Sequence, residues 1–203
     1  MSEFLAPINY DRARDVLRRL NAYTTYTPDA AHEALDALRQ CYPLIFSKME
    51  EKSFENDAIL LEYAGADVTG PLVFTAHLDV NRPAAMGAVP LSRAHLVALL
   101  EAVEELLRDG FCPVGSLMLA LSMDGLAEGR GAQSIARYLG ARRVNPCFVL
   151  DYGGYATMEA FRTYLPKDAP LALIGVAEKG RIHGVVTARS GRQYRLGPAE
   201  RVI

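Results

Sequence analysis

Residues 72–80 read Leu-Val-Phe-Thr-Ala-His-Leu-Asp-Val, and residues 147–154 read Cys-Phe-Val-Leu-Asp-Tyr-Gly-Gly. Each is a short apolar run ending on side chains that can bind a metal or carry a proton. Runs of this length, bounded by turn-forming sequence, read as strands buried inside an α/β fold. Between them, residues 92–108 carry Leu96, Leu99, Leu100, Val103, Leu106 and Leu107 at helical spacing, and Asp109-Gly110 stops the helix. Residues 116–123 are apolar on both faces apart from their ends, as a central strand between helix layers is. Strands alternating with helices predict a three-layer α/β/α sandwich with a mostly parallel central sheet.

The flanks extend the same pattern. Thr27-Pro28-Asp29 supplies a hydroxyl cap, a proline at the first helical position and an acid in the first turn. Ala31, Leu35, Leu38 and Cys41 then mark one face of that helix, and an earlier helix over residues 10–21 carries Val16, Leu17 and Leu20. Residues 57–63 read as a strand, joined to 72–76 by the turn-rich segment 65–71. A helix over 131–139, closed by Gly140, precedes the strand at 147–151, and 171–176 and 182–188 read as two further strands. Residues 189–203 lose all periodicity and read as a loose tail, leaving one domain over 1–188.

Composition narrows the function. Of 203 residues, half are hydrophobic and 23% charged, which is ordinary for a globular protein. A net charge of −2 gives no footing for nucleic acid or an anionic membrane surface. No signal peptide and no membrane-spanning stretch is visible, so a cytoplasmic protein is expected. Cys41, Cys112 and Cys147 are widely spaced in apolar surroundings and read as buried thiols, not as a disulfide framework or zinc knuckle.

Residues two apart on a strand share a face, so His77 and Asp79 can act together at a strand end. Alone, His-x-Asp is a weak signal, and a structural histidine is the commoner explanation. Gly129-Arg130-Gly131-Ala132-Gln133-Ser134 superficially matches a dinucleotide fingerprint. The preceding strand ends near Met123, too far back for the tight turn, and Ser134 stands where the third glycine belongs. His32 and His183 have no motif around them.

The ordered set is more specific than any one motif. Tyr42–Phe46, Ile59–Tyr63, Pro71–Val80, Leu96–Glu104, Arg108–Phe111, Gly129–Ala132, Val149–Asp151 and Leu173–Gly180 occur in sequence. Together they resemble the zinc exopeptidase family of carboxypeptidase S, aminoacylase and glutamate carboxypeptidase, most closely its carboxypeptidase S-like branch acting on N-acyl amino acids. The resemblance covers roughly residues 10–190 and implies two zinc ions bridged by an aspartate, with an adjacent glutamate activating the bridging water. It implies that His77 and Asp151 are zinc ligands and that Asp79 is the acid associated with the catalytic histidine.

The remaining positions depart from the pattern. The bridging aspartate belongs to an Asp-Asp-Lys-Gly run that here reads Leu91-Ser92-Arg93-Ala94. The general-base glutamate and the next zinc-binding glutamate follow the aspartate matched by Asp124, and here they are Gly125 and Leu126. The last zinc histidine belongs to a segment beyond a lid domain that the sequence does not reach. A catalytic zinc usually takes three protein ligands and an open position. Two remain for one ion and none for the other, and no carboxylate at 125 takes a proton from water.

These readings predict a truncated, degenerate zinc metallopeptidase-family protein without peptidase activity, binding zinc weakly or not at all. Its residual role is expected to be binding a peptide or N-acyl amino acid, or self-association as a homo-oligomer through an uncovered sheet edge or apolar face. The alternative is a mononuclear zinc hydrolase whose site is rebuilt from His77, Asp151 and one of His95, Asp124 and Glu128. A chain that is one piece of a split gene is a third reading.

Overall fold

Capping side chains start the helices where the sequence places them. The computed structural model describes residues 8–23, 27–66, 70–78, 91–125, 129–151, 156–157, 171–172 and 175–176. Helix α1 (Tyr10–Asn21) begins behind Asn9, whose side chain accepts from the Arg12 amide at 3.0 Å. Helix α2 (Pro28–Cys41) begins behind Thr27, whose hydroxyl accepts from the Ala30 amide at 3.1 Å. The long amphipathic segment forms α4 (Leu91–Arg108), and α5 (Arg130–Ala141) follows. Among the short elements that were not anticipated are α3 (Pro43–Lys48) and the strand β1 (Glu50–Ser53).

The chain divides into two units, residues 1–152 and 153–203. In the first, β1 joins β2 (Ile59–Tyr63), β3 (Leu72–His77), β4 (Leu117–Ser122) and β5 (Phe148–Asp151) in a sheet of order β1-β2-β4-β3-β5. Strands β4, β3 and β5 run parallel, while β1 and β2 pair antiparallel on the other side of β4. In the second unit, the described part is an antiparallel pair of two-residue strands, β6 (Ala156–Thr157) and β7 (Leu171–Ala172). The expected strand at 182–188 and tail at 189–203 lie outside the described residues.

Strand periodicity sorts side chains of the first unit into layers. Leu117, Leu119 and Leu121 point with Ile59, Leu61 and Ala76 into the larger core, built with α1 to α4. Met118, Ala120, Leu60 and Val73 point the other way and meet Ile135 of α5, backed by Phe54 and Tyr138. The predicted helix, sheet and helix layers are therefore present.

Helix α4 buries more than its leucines. Glu101, Glu104 and Glu105 are 1%, 0% and 8% exposed, and a buried carboxylate needs partners. Glu101 and Glu105 share the Arg12 guanidinium at 2.7 and 2.6 Å. Glu104 accepts from the Leu44 and Ile45 amides at 3.1 and 3.0 Å, capping the start of α3. Arg93 is 5% exposed and donates to three backbone carbonyls: Leu20 at 2.6 Å, Tyr23 at 2.5 Å and Leu78 at 3.2 Å. Two of these lie at the end of α1, whose free carbonyls and negative dipole end suit a guanidinium.

The cysteines depart from expectation. Cys41 is half-buried, and Cys112 and Cys147 are exposed free thiols. Both sit between elements, where apolar sequence neighbours do not place a side chain in the core. No described helix is long and apolar enough to cross a membrane.

Candidate functional site

Sheet register decides what can meet at the carboxyl ends of the parallel strands. His77 pairs with Ser122 across β3 and β4, and Thr75 pairs with Asp151 across β3 and β5. Thr75 and His77 are two apart, so all four side chains share the face toward α5. Asp151 lies one strand over from His77 and two residues back. With strands about 4.8 Å apart rising about 3.3 Å per residue, their Cα atoms are about 8 Å apart, within joint reach of a small ligand or ion. The two predicted ligand positions therefore do come together. Thr75 and Ser122 join them, although the sequence reading passed over both; the period of two counted back from His77 points to Thr75.

Asp151 is exposed, and its Oδ1 accepts the Thr75 hydroxyl at 2.5 Å. Behind these polar groups runs a groove of about 430 Å³ between α5 and the sheet. Its walls include Val73, Ala120, Ile135, Leu139, Pro146 and Val149, and His77, Ser122, Gly125 and Asp151 line its polar end.

Gly125 packs directly on the histidine. A Cβ built there falls 2.7 Å from both Cβ and Cγ of His77 and 3.0 Å from its Cδ2. Carbon atoms normally sit about 3.5–4.0 Å apart, so this backbone accommodates no side chain at 125 without moving the imidazole. Asp124 is 5% exposed and turned toward α5. Its carboxylate accepts from the Arg130 amide at 2.8 Å, the Gly131 amide at 3.2 Å and the Asn56 side chain at 3.1 Å. A Cβ on Gly131 would fall 3.0 Å from Asp124 Oδ1 and 2.6 Å from Ala58 Cβ, so only glycine lets the helix start this close. The carboxylate serves as the N-terminal cap of α5.

The other candidates fall apart from this cluster. Nδ1 of His95 lies 2.9 Å from the Leu91 carbonyl on its own helix, and His32 pairs with Asp57 at 2.9 Å. Leu91 is 57% exposed at the start of α4. Asp79, Leu126, Glu128 and His183 lie outside the described residues. Among the described residues, no three His, Cys, Asp or Glu side chains converge where they could hold a metal ion. Among the described residues, two ligand-type positions meet at this corner, His77 and Asp151, and the neighbouring Asp124 carboxylate is committed to the start of α5.

No protein-family model matches the chain. It is similar to the N-fatty-acyl-amino acid synthase/hydrolase PM20D1 of Bos taurus, 31% identical over 168 residues that cover 72% of this chain and 33% of that protein. It is also similar to the probable carboxypeptidase S-like 2 of Dictyostelium discoideum, 26% identical over 167 residues covering 71% and 32% respectively. The chain thus spans about a third of the length of the curated relatives it matches. Among solved structures, the LapA aminopeptidase of Legionella pneumophila superposes with a TM-score of 0.58 at 14% identity, covering 71% of this chain and 42% of that one. That likeness concerns the fold. With the homologues it accounts for the ordered motifs and the α/β architecture: the chain belongs to the zinc exopeptidase/aminoacylase family.

Proposed function

We propose that this chain is a catalytically degenerate member of its family, which binds a ligand at the His77 and Asp151 end of the groove without hydrolysing it. The observation that carries this reading is the contact between Gly125 and His77. Position 125 matches the family's general base, and its backbone lies where a side chain would collide with the imidazole. Activating water for attack needs a base within hydrogen-bond reach, and here that place is filled by the histidine itself.

Two further observations support it. Asp124, the nearest carboxylate in sequence, is engaged by the start of α5. Leu91 stands at the position matched to the bridging aspartate and cannot ligate a metal. The relatives act on fatty-acyl amino acids or are named carboxypeptidase-like; this chain keeps their fold while the chemistry-bearing positions carry Leu91, Gly125 and Leu126.

The test is zinc analysis of protein purified without added metal or chelator, alongside turnover of N-acyl amino acids with and without added zinc. The expected result is substoichiometric zinc and no turnover above buffer. Stoichiometric zinc that disappears in His77→Ala, together with acyl-amide hydrolysis, would establish a rebuilt mononuclear hydrolase and overturn the proposal.

A further inference from the structure

From the charge and lining of the groove, we infer that its ligand is an amphiphile with a protonated amine head and a linear aliphatic tail. This inference deepens the ligand-binding reading above and rests on its metal-free site. The groove holds about 430 Å³, inside the roughly 300–1,000 Å³ range of small-molecule sites. Val73, Ile135, Leu139 and Val149 give it apolar walls along its length. Polar groups gather at one end only, because register brings Thr75, His77, Ser122 and Asp151 to one corner of one sheet face. A ligand matching this lining is apolar along its body and polar at one tip.

Asp151 sets the sign of that tip. Its Oδ1 takes the Thr75 hydroxyl, which fixes the carboxylate, and among the described residues its Oδ2 has no partner. An ammonium offers three N–H donors and a positive charge to such an oxygen, and charge-assisted bonds of this kind are roughly twice as strong as neutral ones. A carboxylate head would instead face Asp151 with like charge. A zinc pair in the same corner would reverse this preference, since its positive charge outweighs one carboxylate. Without a metal, the corner therefore selects a cationic head, with the apolar walls beside it.

Isothermal titration of the full chain, stripped with EDTA and dialysed, compares octylamine with octanoate below their micelle-forming concentrations. The tails are matched and the heads are opposite in charge. Octylamine is expected to bind at least about tenfold more tightly than octanoate. In Asp151→Asn, an exposed edge-strand change that leaves the core intact, the ratio should fall below about threefold. Ala136→Phe fills the groove from an exposed position on α5 and should weaken octylamine by at least about tenfold. Equal or tighter octanoate binding, an unchanged ratio in Asp151→Asn, or indifference to Ala136→Phe would each overturn the inference. Zinc content is measured separately on unstripped protein, so failure of the degenerate reading and failure of this inference are distinguishable.

Discussion

Gly125→Ala isolates the contact on which the functional proposal turns. The substitution adds one methyl group, which must sit 2.7 Å from Cβ and Cγ of His77 and 3.0 Å from Cδ2 unless something moves. Each gap is about 0.5–1.3 Å short of ordinary carbon contact. The imidazole is anchored at the end of β3, the middle of the three parallel strands, so relief must come from rotating the ring or shifting the 123–125 segment. Inserting a methyl group into such a contact costs about 1–3 kcal/mol. For a chain of this length, about 2–4 °C of melting temperature goes with each kcal/mol, so melting should fall by about 2–12 °C. Thermal denaturation followed by circular dichroism reads this directly. A second arm makes it specific: His77→Ala removes Cγ and Cδ2 but keeps Cβ, so Gly125→Ala in that background should cost about 1 kcal/mol less than in the parent. If Gly125→Ala melts with the parent, or costs the same without the ring, the close approach is wrong. Gly125→Glu carries the argument to chemistry: restoring the carboxylate alone should restore neither zinc binding nor acyl-amide hydrolysis.

Other expectations concern the scaffold around the site. Arg93→Met leaves carbonyls of Leu20, Tyr23 and Leu78 without their shared donor, and should lower stability by about 1–3 kcal/mol for each carbonyl that stays buried and unpaired, in urea denaturation with the slope unchanged. Asp124→Ala should cost about 1–3 kcal/mol, and amide exchange should accelerate at Arg130 and Gly131 more than at Leu119 in the central strand. The Glu105 carboxyl is held below the usual range, first by its hydrogen bond from Arg108 and then by Arg12. A carboxyl depressed on folding stabilises fully above its unfolded pKa of about 4.3, and that contribution is lost as pH falls through the lower folded value. Glu105→Gln should therefore flatten the acid limb of the stability profile, which acid titration of unfolding followed by fluorescence checks.

The sequence carried most of the described scaffold, because period and caps are local signals. Helices α1, α2, α4 and α5 and strands β2 to β5 fall within a few residues of where hydrophobic spacing puts them. His77 and Asp151 were also legible, since apolar strands ending in a ligand-type residue deliver it to the sheet's carboxyl end. What escaped depends on contacts distant in sequence. Strand β1 reads Glu-Glu-Lys-Ser, with no apolar alternation, because at the sheet edge its polar side chains are largely solvated and its register with β2 comes from backbone pairing. Glu101, Glu104 and Glu105 resemble a solvated helix face until Arg12 and the start of α3 are brought against them. Asp124 was weighed as a metal ligand, yet its partners are amides six and seven residues ahead, whose direction no residue pattern reveals.

The Arg93 anchor bears on what a change at this position can do. It lies in the run that matches the family's bridging-aspartate segment, and it now bolts the ends of α1 and β3 together from inside the fold. Any substitution at this position is therefore felt first as lost cohesion between a helix end and a strand end, whatever chemistry it brings to the neighbouring corner.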